Sequence, residues 1–179
     1  MNAPRTRRAP LLSLLVPAAL LAATVPARAQ GAAVEPKAAF ERLKTRAGTW
    51  EGQAGDGQPT MPATVTYRVA SGGSVVEETL FPGTPHEMVS MYHLADGRLV
   101  MTHYCSMANQ PRMKLDEKAS TPDRLVFAFD GGTNFDPAKD VHVHSGVVEW
   151  KGDALHADWA AWAGGKEAGH KVFALRRKR

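Results

Sequence analysis

From residue 49 onward the chain is a succession of short alternating segments separated by turn residues, and that rhythm constrains its fold more than any other feature. TWEGQ, ATVTYRVA, SVVEETLF, EMVSMYHL, RLVMTHYC, RMKLDEK, RLVFAF, VHVHSGVVEW, ALHADWAAW and HKVFALRR read as strands; in ATVTYRVA, Val65, Tyr67 and Val69 share one face. AGDGQP, SGG, PGTPH, ADG, STPD, DGGTNFDPAKD, KGD and AGGKEAG punctuate them. About ten strands at this spacing predict an all-β sandwich or barrel. No segment supplies the crossover helices of a parallel sheet. Consecutive hairpins with short turns predict an antiparallel up-and-down meander. Such a meander closes most simply into a barrel, which leaves no exposed edge. A barrel of that size is expected to hold more space than its side chains fill, enough for a small ligand.

One helix is predicted before the strands, over PKAAFERLKTRAG. Pro36 suits a first helical position, Phe40, Leu43 and Ala47 recur on one face, and Gly48 suits a stop. Residues 30–35 read as a small-residue linker. Residues 1–29 read as a signal peptide: a basic start without acids, the apolar run LLSLLVPAALLAATV, and the small pair Ala27 and Ala29 before an expected cleavage site. The run is too short and too interrupted by Pro17 for a spanning helix. Arg7-Arg8 resembles a twin-arginine signal, although a general secretory signal is the simpler expectation. A barrel domain over 36–179, delivered to the periplasm or secreted, is therefore expected, with no integral membrane span after cleavage.

Charge excludes one class of partner. Arg5, Arg7, Arg8 and Arg28 are four of the 22 basic residues, and the leader has no acids, so the remainder balances 18 basic against 18 acidic residues. No basic field points to nucleic acid. The single cysteine, Cys105, forbids an intramolecular disulfide and is expected to pack as a small hydrophobe.

A short helix leading into Gly48-Thr49-Trp50, followed by a meander that ends in a basic strand, resembles the calycin superfamily of lipocalin-like and fatty-acid-binding-protein-like barrels. The resemblance implies that Trp50 closes one barrel end and that Arg176 or Arg177 packs over it. GTWEGQAGDG is also similar to the opening of the nitrobindins, a haem-binding family of ten-stranded barrels; the likeness covers only that opening and carries no haem ligand. FPGTPHEMVSMYH, THYCSMANQPRM and GGTN…DVHVH are similar to stretches of a group of exported bacterial proteins whose function the sequence does not reveal.

The candidate site residues are histidines and sulfurs. With a three-residue loop, Ala95-Asp96-Gly97, and Gly97 as the bulge residue, Val89, Met91 and His93 share an interior face with Leu99, Met101, His103 and Cys105. A two-residue Asp-Gly turn would instead separate His93 from His103. His142 and His144, two apart on one strand, share a face whatever the register. Such a pair chelates zinc or another transition metal if a third ligand arrives, with His103, Cys105 and Glu149 as candidates. His142-x-His144-x4-Glu149 is also similar to the first metal motif of cupins, without that motif's flanking glycines or its partner motif. If instead Val141 and Val143 face the core, both histidines point outward. No nucleophile elbow, phosphate loop or zinc-ribbon spacing is present, so nothing specifies an enzyme.

The reading is an exported barrel binding a small, largely apolar or amphipathic molecule. Met91, Met101, Val89 and Leu99 form its wall, and His93, His103, Cys105, His142 and His144 supply polar contacts. No cofactor is required on this reading. Two alternatives remain: a metalloprotein or metalloenzyme using His142, His144 and His103, and a structural envelope protein whose barrel is filled.

Overall fold

The structure is a computed structural model and describes residues 33–179. The expected signal peptide and the linker up to residue 32 lie outside the described residues. The fold is all-β: ten antiparallel strands in a closed barrel, preceded by one helix. The helix is α1 (Pro36–Lys44). The strands are β1 (Gly48–Asp56), β2 (Met61–Ala70), β3 (Val75–Leu80), β4 (Met88–Ala95), β5 (Arg98–Tyr104), β6 (Gln110–Leu115), β7 (Arg124–Thr133), β8 (His142–Lys151), β9 (Ala154–Ala163) and β10 (Lys166–Arg177). Each strand pairs with its sequence neighbours, and β1 pairs with β10 to close the cylinder. Among the described residues no helix is long and apolar enough to cross a membrane.

Alternation decides what fills the barrel. Trp50, Tyr67, Tyr92, Phe127, Trp150, Trp159 and Phe173 are all buried. These large side chains occupy most of the interior, which is tighter than strand number alone suggested. Gly146 makes room for one of them: a Cβ there would run into the Trp159 ring.

One end is sealed by the N-terminal elements. Ala39, Phe40 and Leu43 of α1 are buried in the core, and Val34 joins them, its N–H donating to Glu117 O. The helix stops at Lys44, three residues before Ala47, and Gly48 opens β1 with φ +127°. Trp50 is fully buried and its indole N–H donates to Arg46 O. Register settles which arginine covers it. Arg177 is the ladder partner of Trp50, its guanidinium lies 4.6 Å over the ring, and it donates to Ala47 O and Thr45 O. Arg176 is paired with Glu51 and is exposed. The guanidinium thus ties the last strand to the carbonyls that end the helix.

The β4–β5 hairpin corrects the expected register by one residue. Ala95 pairs with Arg98, leaving a two-residue Asp96-Gly97 turn with φ +49° and +79°. Both central residues have positive φ, which Asp-Gly tolerates and which matches the strand twist. Ser90 and Tyr92 therefore point inward with Leu99, Met101 and His103. Val89, Met91 and His93 point outward, so Met91 and His93 are removed from the interior wall.

Candidate functional site

A row of polar side chains crosses four strands inside the barrel. Tyr67 pairs with Glu78, Glu78 with Ser90, and Ser90 with His103, each directly opposite the next. Glu78 is 2% exposed. Tyr67 and Tyr92 donate their hydroxyls to its two carboxylate oxygens, the latter at 3.0 Å. Burial pushes the carboxyl above its ordinary range, while Tyr67, Tyr92 and Ser90 hydrogen bonds hold it down. Burial and the neighbouring carboxylate push both phenols up, so they stay protonated donors.

The row ends at His103, 5% exposed, whose Nδ1 lies 3.0 Å from Ser90 Oγ. A hydroxyl has one proton. If Ser90 gives that proton to Glu78, it accepts from Nδ1–H, and His103 Nε2 keeps its lone pair. Burial lowers the imidazole pKa to about 4, so His103 is neutral near pH 7.

His103 borders an interior cavity of about 170 Å³ at the barrel end opposite α1. Leu80, Met88, Met101, Cys105, Val143 and Phe173 share its lining, which is almost wholly carbon and sulfur. One position past the last ladder pair, Val89 with Tyr104, Met88 meets Cys105, and their sulfurs are 4.0 Å apart. Of the expected interior residues, Met101, His103 and Cys105 come together here.

His142 and His144 lie elsewhere. Val143 lines the cavity, so the histidines on either side of it face away. A bulge at His144 resets the register with β9: Val143 pairs with Ala161, then Ser145 with Ala160. The ladder to β7 stops at Ala128 and Ser145, and an aromatic cluster occupies the opening beyond. The His144 ring stacks between Phe129 at 4.4 Å and Trp162 at 3.8 Å, and Phe135 packs on His142 at 4.7 Å. His142 is fully buried; its Nδ1 bonds Asp140 O and its Nε2 bonds His144 Nδ1. Because a carbonyl only accepts, Nδ1 of His142 carries the proton and Nε2 accepts from His144. Burial first, then His142, lowers the His144 pKa. Both nitrogens of His142 are thus committed. Among the described residues no three of His, Cys, Asp and Glu gather as a metal would need, and Glu149 is exposed. The expected third ligand, His103, is on the cavity side.

Glu78 is the residue that sequence reasoning missed. Its signal was parity: Val76, Glu78 and Leu80 alternate on one face, and both flanking residues are apolar. The chain matches no known protein-family model, and no curated protein is similar to it in sequence.

Proposed function

We propose that this is an exported binding barrel of calycin type that holds one small, largely apolar ligand in the cavity beside His103. The observation that carries the reading is the partly open cavity of about 170 Å³, its wall almost wholly carbon and sulfur, with Ser90, Lys171 and the neutral His103 imidazole as its polar lining residues. A cavity of roughly 150 Å³ accepts benzene. The ligand is therefore ring-sized, far smaller than the occupant of a spacious lipocalin. Burial of its apolar surface drives binding, and His103 Nε2 orients any polar substituent. At a ceiling of about 1.5 kcal/mol per heavy atom, a ligand of about six heavy atoms gains at most about 9 kcal/mol, a Kd of about 0.3 μM at best. The sealed end, with Arg177 over Trp50, supports the calycin assignment. The apolar leader supports export to the periplasm or beyond.

The test is benzene titrated into metal-free protein, read by methyl NMR at Leu80, Val143, Met88 and Met101. Saturable shifts at these methyls, abolished by the filling substitution Ala161→Phe, are expected. Absence of saturable shifts, or shifts unchanged in the filled variant, defeats the reading.

A further inference from the structure

The cavity wall formed by the β4–β5 hairpin carries an unusual set of donors. Cys105 Sγ and Met88 Sδ are 4.0 Å apart across the two strands. Met101 and His103 precede Cys105 at alternate positions of the same inward face. His103 is 5% exposed, and its Nε2 has no hydrogen-bond partner among the described residues. Its other nitrogen is held through Ser90 towards the Glu78 carboxyl, the outer-shell arrangement that orients a metal-ligating imidazole. Thiolate and thioether donors are soft and select Cu(I) over hard cations.

We propose that Cys105 Sγ, Met88 Sδ and His103 Nε2 form a trigonal site for one Cu(I) ion, with Met101 Sδ as a fourth, longer contact. Two sulfurs bound to a trigonal ion at about 2.3 Å each stand roughly 4.0 Å apart, which is the separation already present. The ion replaces the Cys105 thiol proton, which passes to solvent, and copper stays Cu(I). Cation and thiolate cancel, so no net charge enters the apolar cavity. A Cys, Met and His set lacks the hard oxygen donors of magnesium or calcium sites and the second thiolate or imidazole that zinc prefers. The site is distinct from the His142–His144 pair. It shares the cavity with the proposed apolar ligand but needs only the hairpin wall, leaving the Val143, Ala161 and Phe173 side open.

The test is a competition titration of Cu(I) against bicinchoninate, using the reduced, anaerobic protein. One ion per chain is expected. Cys105→Ser and Met88→Leu should each weaken affinity about tenfold or more, while His142→Ala leaves it unchanged. A thermal melt of each variant shows whether it is folded, and Met88→Leu, a change of similar volume, keeps the test valid if Cys105→Ser unfolds. No stoichiometric uptake overturns the site. So does uptake that survives Met88→Leu in the folded variant, or Zn(II) bound as tightly as Cu(I). Because the benzene titration uses metal-free protein, its failure removes the ligand reading and leaves this one standing, and the reverse holds equally.

Discussion

Acidification should destabilise the protein through His103. The imidazole is buried and titrates near pH 4, against an ordinary value of 6.5. Between those values the unfolded chain takes up a proton that the folded chain refuses. Stability from this group is complete above pH 6.5, declines as pH falls, and is lost by about pH 4, below which both states are protonated. A gap of about 2.5 pH units at 1.36 kcal/mol each amounts to about 3 kcal/mol. His144, also lowered by burial, adds to the loss in the same direction. His170, raised by Asp158 and Glu167, opposes it, as does Glu78, raised by its own burial. The wild type minus His103→Gln difference isolates the one group, because Gln cannot titrate yet retains a donor for Ser90. Urea unfolding followed by tryptophan fluorescence, from pH 7.5 to 4.5 with chelator present, gives both curves. Over this window, which stops just above the folded-state value, the wild type should lose about 2.5 kcal/mol more than the variant. Parallel curves would refute a buried, neutral His103.

Two further outcomes follow from packing. Gly146→Ala drives a Cβ into the rigid Trp159 indole and should cost about 2 kcal/mol, read as a lower urea midpoint with an unchanged slope. Arg177→Lys keeps the charge but loses the planar fork that reaches Thr45 O and Ala47 O, and should cost about 1–2 kcal/mol and expose Trp50 to acrylamide quenching.

The strand rhythm was legible because alternation and turn residues are local signals. All ten strands fall where ATVTYRVA, RLVFAF and their counterparts place them, and only the ends differ by a few residues. The helix was legible from Pro36, Phe40 and Leu43. What failed depended on register. Asp96-Gly97 permits a two- or a three-residue loop, and the difference of one residue moved Met91 and His93 outside while bringing Ser90 and Tyr92 in. The bulge at His144 breaks alternation, so parity could not say which way the histidine pair faced until Val143 was seen in the cavity wall. Arg176 and Arg177 were separated only by the pairing of Trp50 with Arg177 across the closure. Interior space was expected from the strand number, but the size and place of the cavity were not legible, because it is a small remainder left after Trp159, Phe173, Tyr67 and Tyr92 have taken their shares of the interior.

The polar row also restricts how the sheet can be mispaired. Alternation forbids a one-residue slip, since every apolar side chain would turn to water. It does not forbid a slip of two, which returns apolar residues to the inside. On β3 such a slip would set Glu78 opposite Val65 or Val69 on one side and Met88 or Tyr92 on the other, in place of Tyr67 and Ser90. The carboxylate would lose hydrogen-bond donors while still buried, at a cost of several kcal/mol. One carboxylate in an apolar barrel thus writes an error-detecting mark into three adjacent strands: the alignment that satisfies Glu78 is the one in which β2, β3 and β4 are all correctly offset.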